Sequence, residues 1–294
     1  MHFALTKEQE MIRTMVRQFA DEEIRPYAQE WDKEQKFPLE TVKRMGEVGL
    51  LGLPIPQKYG GAGVDYVSYA IPVEEVSRVD GSMGITVASH NSLAANHINL
   101  FGSEEQKRKW LPKLCSGEWL GAWGLTEANA GSDAGATETN AVLDGDEWVI
   151  NGSKIFITQG SVGDIAVIVA VTDPKNRKRG LSCFAVERGT PGFSTGTKEN
   201  KLGLRASDTA ELVFEDCRIP KENMLGEMGR GFPQMLTILD GGRISIAALA
   251  LGLGQGALDE SIKYAREREQ FGRPIGKFQA IQWMIADMAT EIDA

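Results

Sequence analysis

Cysteine and histidine are scarce in this sequence, with three of each in 294 residues. Cys115, Cys183 and Cys217 lie far apart and form no CxxC pair, so neither a disulfide framework nor a zinc site is indicated. His2, His90 and His97 are too scattered for a metal centre or a catalytic triad, and His97 suits a hydrogen-bonded structural histidine better than a ligand. No basic run breaks the interleaved charges, whose sum is −9, which argues against nucleic acid as a partner. The first residues lack the basic-then-apolar pattern of a leader, and no segment is expected to approach transmembrane length. The expectation is a protein of the bacterial cytoplasm or the mitochondrial matrix, without a membrane span. No GxGxxG follows a predicted strand, so a Rossmann cofactor site is not supported.

What is present is ordinary globular material, 42% hydrophobic and 25% charged, in a chain long enough for more than one domain. From residue 6 to about 28 the apolar residues Ile12, Met15, Val16 and Phe19 recur at helical spacing, and Thr6 with Gln9 fits a capping box. Helical patterns follow over residues 39–48, 67–79, 84–101 and 104–114, separated by breakers such as Pro54, Pro56, Gly60 and Gly61. Near Trp119 the period changes. Short β-branched runs cover 147–150, 154–158, 164–172, 181–187 and 210–216, and Asn151-Gly152 between the first two has the chemistry of a tight hairpin. Helical spacing returns over 232–265 and 278–294. The pattern predicts an α+β multidomain chain: an all-α domain over 1–118, a β-barrel-like or β-sandwich domain over 119–225, and a helical domain from 226 to 294. The last run carries no Gly or Pro stop signal before Ala294, so this third domain is expected to be incomplete here, and the family resemblance carried by the motifs below implies a four-helix bundle for it.

Four stretches have the chemistry of ligand-binding segments. Trp123-Gly-Leu-Thr-Glu-Ala-Asn-Ala-Gly-Ser-Asp133 combines small residues with hydroxyls, which lets backbone approach a ligand closely. The composition fits a plain surface turn equally well. In Lys154-Ile-Phe-Ile-Thr-Gln-Gly160, Phe156 and Thr158 share strand parity, so one face offers a ring and a hydroxyl, as in many half-buried strands. Leu239-Asp-Gly-Gly-Arg-Ile-Ser245 places two glycines inside a helical pattern at about 1 kcal/mol each against alanine, a cost that close packing or ligand approach must offset. There Arg243 is also placed for a routine pair with Asp240. Arg266 to Ile275 turns between two helices, with Gly272 as a C-cap candidate and Arg268 able to grip an anion, although such ends are often only solvated.

In this order on an α, β, α chain, the four stretches resemble the acyl-CoA dehydrogenase family. The resemblance covers essentially the whole chain and includes Tyr59-Gly-Gly61, Phe101-Gly-Ser-Glu-Glu-Gln-Lys107, Lys201-Leu-Gly-Leu-Arg205 and Phe214-Glu-Asp-Cys-Arg-Ile-Pro220. Asp240-Gly-Gly-Arg243 looks closest to the short-chain, butyryl-CoA branch. The resemblance implies FAD held by Trp123, Leu125, Thr126, Gly131 and Ser132, backed by Phe156, Ile157 and Thr158. Many members carry Trp at the Phe156 position and Pro at the Ala128 position.

The same resemblance implies acyl-CoA contacts at Ser132, Ser182, Asp240, Gly241, Gly242 and Arg243. It implies FAD contacts across a subunit boundary at Arg268, Phe271 and Gln279, in a dimer of dimers. The activity implied is α,β-dehydrogenation of short- to medium-chain acyl-CoA to trans-2-enoyl-CoA, with electrons passed to an electron-transfer flavoprotein. Acyl-CoA or nitroalkane oxidase on the same scaffold, or a catalytically incomplete chain, are the alternatives. Family members place a catalytic glutamate either in a YEGT-like stretch further toward the C terminus or immediately before the arginine matching Arg243. Here the latter position is Gly242, so no residue of this sequence matches the base.

Overall fold

The computed structural model describes residues 4–176 and 179–294, so His2 lies outside it. Helices α1 (Lys7–Glu23), α2 (Ala28–Glu34), α3 (Leu39–Glu47), α4 (Tyr66–Val79), α5 (Gly81–Ser89), α6 (Asn96–Phe101) and α7 (Glu104–Ser116) come first. The Thr6–Gln9 capping box forms as expected, with a second at Ser103–Gln106. The expected helix over 84–101 starts earlier, at Gly81, and widens into a π turn over His90–Ala95 before α6. A π turn inside a helix is uncommon and concentrates at functional sites. Here the buried side chain of Asn91 accounts for it. It accepts from the amides of Gly52 (2.6 Å) and Leu53 (3.0 Å) and donates to the carbonyls of Leu50 (2.8 Å) and Val87 (3.0 Å), tying the helix to the preceding loop.

The middle of the chain forms one mixed sheet from β1 (Gly121–Gly124), β2 (Asn140–Asp144), β3 (Glu147–Thr158), β4 (Ile165–Val171), β5 (Leu181–Glu187), β6 (Phe193–Lys198), β7 (Thr209–Pro220) and β8 (Met224–Leu225). The strand order is β6-β7-β3-β2-β4-β5-β8, and β1 pairs in parallel with β4. Residues from strands that are not neighbours share one core: Trp148 on β3 meets Phe184 on β5 edge-on at 5.1 Å, so the sheet curls on itself in the barrel-like way expected.

One turn differs from expectation. Asn151-Gly152 is no hairpin. β3 runs through it with an irregularity in its register against β7, and Gly152 (φ +139°) has no room for a Cβ beside Thr139. The hairpin is at Asp144-Gly145-Asp146-Glu147, where Gly145 takes φ +63°. Both pairs carry the same turn chemistry, and only the pairing with β7 separates them.

Helix α8 (Gly231–Glu267) follows, then a short hairpin of β9 (Glu269–Gln270) and β10 (Arg273–Pro274), then α9 (Gln279–Asp293). The expectation for Gly272 is corrected: α8 ends at Glu267, and Phe271 (φ +53°) and Gly272 (φ +73°) form the tight turn of that hairpin. The expectation that no segment approaches transmembrane length is corrected as well. α8 has 37 residues and a mean hydropathy of 1.5 in its most apolar stretch, enough to cross a membrane by length and composition alone. Residues 244–258 of this helix contain no charge. One face of α8 packs on α4 and α5, burying Gly242, Ser245, Ala248, Leu249 and Gly252.

That packing is close. A Cβ on Gly252 would stand 2.2 Å from the Glu74 carbonyl oxygen, and one on Gly256 2.2 Å from that of Arg78, so only glycine lets the two backbones meet. On α4, the buried Glu75 carboxylate is gripped by Arg17 (2.7 Å) and Arg78 (3.2 Å), which joins α1 to the same block. Gly252→Ala should push α8 off α4 and cost about 1–3 kcal/mol of stability. A thermal melt of this variant that matches the parent would show that the helices slide apart freely.

Candidate functional site

The first wall of the site is the segment Leu125-Thr126-Glu127, which lies alongside β3 because the Ile155 amide donates to the Thr126 carbonyl (2.9 Å). Beneath it, the fully buried Lys154 ammonium meets Glu127 at 2.6 Å and the Leu125 carbonyl at 3.3 Å. Glu127 also accepts from the amides of Glu138 (2.7 Å) and Thr139 (3.1 Å), so every charge in this pocket is partnered. Burial pulls Lys154 down to about 8, and the adjacent Glu127 charge opposes that fall.

The register of β3 against β7 shifts between Lys154 and Ile157. This bulge alters the simple alternation assumed from sequence. Lys154 and Ile157 both turn inward, whereas Phe156 adopts φ +60° and is 60% exposed. Gln159 also sits at positive φ (+62°), and its fully buried amide oxygen has no partner among the described residues. Two non-glycine residues in this strained region within one segment are the kind of distortion that recurs at ligand sites.

The second wall comes from the helices. A cavity of about 300 Å³ is lined by Thr158 at the end of β3, by Ile85, Ala88 and Ser89 of α5, by Ser92 and Leu93 of the π turn, and by Gly242, Arg243 and Ser245 of α8, among others. Its surface is largely apolar because the serine hydroxyls turn back onto helix carbonyls: Ser92 donates to Ala88 (2.7 Å) and Ser245 to Gly242 (2.9 Å). A Cβ on Gly242 would come within 3.2 Å of Leu93, so glycine here keeps the cavity open. No carboxylate is among the lining residues.

Thr158, Gly242 and Arg243 are thus brought together, with Leu125, Thr126 and Phe156 on the adjoining ledge. Gly241 abuts Tyr66 of α4, and Asp240 pairs with Arg243 on the exposed side of α8, the routine pairing weighed above. Ser132 is exposed beyond the tight turn closed by Glu127 and Ala130, and the space around Gly131 is open. Ser182 is fully buried and shares hydrogen bonds with Thr172 (2.8 Å) and the Gly229 amide (2.9 Å). Arg268, Phe271 and Gln279 are exposed and line none of this cavity; Phe271 is 93% exposed. Sequence reasoning missed Ile85, Ser89, Ser92 and Leu93. Ser89 and Ser92 do stand out within an apolar helix, but nothing local announces the π turn that places them.

The ledge suits a flat cofactor. Phe156 is an exposed ring, Trp123 and Leu125 are half-buried, the Thr126 and Thr158 hydroxyls have no partner among the described residues, and an orphaned buried oxygen belongs to neighbouring Gln159. Among the described residues no cluster of His, Cys, Asp or Glu is arranged to hold a metal.

A helical block, a curled β domain and a long following helix together close an apolar cavity beside the exposed ring of Phe156, an architecture of the small-molecule-binding enzyme class. The chain matches the N-terminal domain of acyl-CoA dehydrogenase over residues 6–118, the middle domain over 122–217 and the C-terminal domain over 229–294. It is 54% identical, over all of its length and 78% of the relative's, to the short-chain-specific acyl-CoA dehydrogenase of Clostridium acetobutylicum. Butyryl-CoA dehydrogenase from Megasphaera elsdenii superposes with a TM-score of 0.97 at 42% identity, over all of this chain and 78% of that one. A chain from a structure of the electron-transferring flavoprotein of Acidaminococcus fermentans superposes with a TM-score of 0.98 at 50% identity, over all of this chain and 77% of that one. The protein belongs to the acyl-CoA dehydrogenase family and is an oxidoreductase acting on acyl-CoA.

Two buried histidines hold the β domain to the helices. His90 accepts from the Gly121 amide (3.2 Å) and faces the Leu114 carbonyl (3.0 Å), and His97 bridges Trp123 (3.0 Å) and Gln234 (3.1 Å). Burial pushes both down to about 4, below the ordinary 6.5. The unfolded chain therefore binds more protons between pH 6.5 and 4, and stability present above 6.5 is lost as pH falls through that window. The loss amounts to about 3 kcal/mol per histidine. Denaturant unfolding at several pH values should show it, with a smaller fall in His90→Gln. An identical fall in that variant would remove His90 as a cause.

Proposed function

We propose that the protein is an FAD-dependent dehydrogenase that converts short- to medium-chain acyl-CoA to trans-2-enoyl-CoA and passes the electrons to an electron-transfer flavoprotein. The observation that carries this reading is the cavity that joins Thr158, on the flavin ledge, to Gly242 and Arg243 of α8. FAD, when bound, supplies a two-electron acceptor beside the β-carbon. Trp123, Leu125, Thr126, Phe156 and Thr158 hold it, Gly131 and Ser132 extend that contact, and the apolar cavity takes the acyl chain and excludes water from it. Asp240 to Arg243 lie along the path of the CoA moiety. The reaction also requires a base for the α-proton, and the position before Arg243 is Gly242, which has no proton acceptor. Arg268, Phe271 and Gln279, exposed at the far end of α8, suit contact with a neighbouring subunit's cofactor in a dimer of dimers.

Loading the protein with FAD and adding butyryl-CoA without oxygen tests the proposal. A shift of the visible flavin band on stoichiometric addition shows that acyl-CoA binds beside the flavin, and bleaching shows that the protein also supplies a base. Failure to take up FAD, or a bound flavin indifferent to butyryl-CoA, would falsify the reading. Oxygen uptake matching acyl-CoA consumption would assign the protein to the oxidases on this scaffold.

Chain length is set by the cavity. At about 300 Å³ it lies at the lower bound of the roughly 300–1,000 Å³ of small-ligand pockets, which favours short acyl groups. Leu93→Ala removes part of the wall and should raise the octanoyl-to-butyryl ratio of kcat/KM by about tenfold, since a methylene in such a pocket is worth roughly 1–3 kcal/mol. An unchanged ratio would place the end of the pocket elsewhere.

A further inference from the structure

Trp123 lies half-buried on β1, just before the segment read as the cofactor loop. Its indole N–H does not point to solvent. It donates to Nδ1 of His97 (3.0 Å), a fully buried residue on α6. An imidazole that accepts at Nδ1 carries its proton on Nε2, and that nitrogen faces the Oε1 of Gln234 on α8 at 3.1 Å. The Gln234 amide in turn donates to the Leu225 carbonyl on β8 (3.1 Å), which fixes which way the amide faces. Gly226 leaves room for it, since a Cβ there would stand 2.4 Å from the Gln234 amide nitrogen. The ring of Phe101 meets the imidazole edge-on at 5.3 Å and closes the remaining side. The bonds run in one direction, from indole to imidazole to amide to carbonyl, and both ring nitrogens of His97 are engaged. Turning any member around sets two donors or two acceptors face to face inside the protein.

We propose that His97 and Gln234 are positioning residues for the flavin, holding the indole of Trp123 in the one orientation in which it forms part of the cofactor ledge. The assignment rests on the reading of Trp123 as a flavin contact. It goes beyond that reading by giving a function to two buried residues, on α6 and α8, that the cofactor does not touch. The three elements they join, β1, α6 and α8, then adjust together, so the ledge and the helix lining the acyl cavity share one anchor.

The test uses the full chain and FAD itself, comparing the parent with His97→Leu, His97→Asn, Trp123→Phe and the double variant His97→Leu/Trp123→Phe. FAD affinity is read from quenching of FAD fluorescence, orientation from the visible circular dichroism of bound flavin, and folding from apoprotein melts. His97→Leu leaves the indole N–H unpaired and should weaken FAD by about tenfold with a changed flavin spectrum, the order expected for one buried hydrogen-bond partner lost. His97→Asn keeps an acceptor near the Nδ1 position and should restore most of the affinity. In the Trp123→Phe background, which has no N–H to orient, His97→Leu should add nothing. Should His97→Leu fail to fold, Trp123→Phe alone must reproduce the altered flavin spectrum. Equal weakening by His97→Leu in both backgrounds, or parent-like affinity and spectrum in every variant, overturns the positioning role and leaves the flavin assignment standing. A parent protein that takes up no FAD overturns both.

Discussion

The close contact of α8 with α4 governs the geometry of everything near the site. Gly252 and Gly256 bring the two backbones within reach of each other, and the depth of that contact decides how far α8 stands from α5 and the π turn. The cavity is the space left between those elements once the contact is made. Its lining from α8, which includes Gly242, Arg243 and Ser245, lies about two to four turns upstream of the glycines on the same helix, so a displacement at the contact is transmitted along a rigid rod to the wall. Beside the cavity, Ser92 and Ser245 bond to helix carbonyls and Tyr69 to the Ala88 carbonyl at 3.1 Å, which leaves apolar surface to face it.

The β domain meets this frame through an apolar seam, where Ile98, Trp110 and Leu114 share a core with Ile165, Val167 and Leu181, and through buried polar contacts that accompany it. Lys154 with Glu127 ties the cofactor loop to β3, and His90 and His97 tie β1 to the helices. Buried polar groups of this kind add modest net stability when fully paired and cost much when a partner is lost, so they specify one arrangement more than they strengthen it. The strained backbone at Phe156 and Gln159 belongs to the same economy: surrounding pairs on β7 and α5 hold residues where L side chains rarely go.

Much of the fold was legible in the sequence because it rests on periodicity and local chemistry. The helical stretches, the capping box at Thr6, the change of period near Trp119 and most β runs follow from residue spacing, and the resemblance to one enzyme family follows from the motifs. Errors fell where two local signals were equivalent. Asn151-Gly152 and Asp144-Gly145 both have turn chemistry, and pairing with β7 chose between them. Gly272 was as good a helix stop as a hairpin glycine until the β9–β10 pairing was formed. The apolar stretch of α8 is long enough to cross a membrane by composition, yet one face of it packs on α4 and α5, a distinction that residue content does not carry.

By itself the sequence determined the order of helical and β segments, the small and hydroxyl-bearing loops, and the Gly241-Gly242 pair before Arg243. These depend on side-chain identity and on neighbours a few residues away. Only the tertiary structure decided that Ser89, Ser92 and Leu93 share a cavity with Thr158 and Gly242, that Phe156 turns outward at a bulge, and that His97 joins Trp123 to Gln234. Each of those outcomes needs groups far apart in the chain to meet. Such meetings are set by how closely whole elements pack, a property that no local spacing encodes.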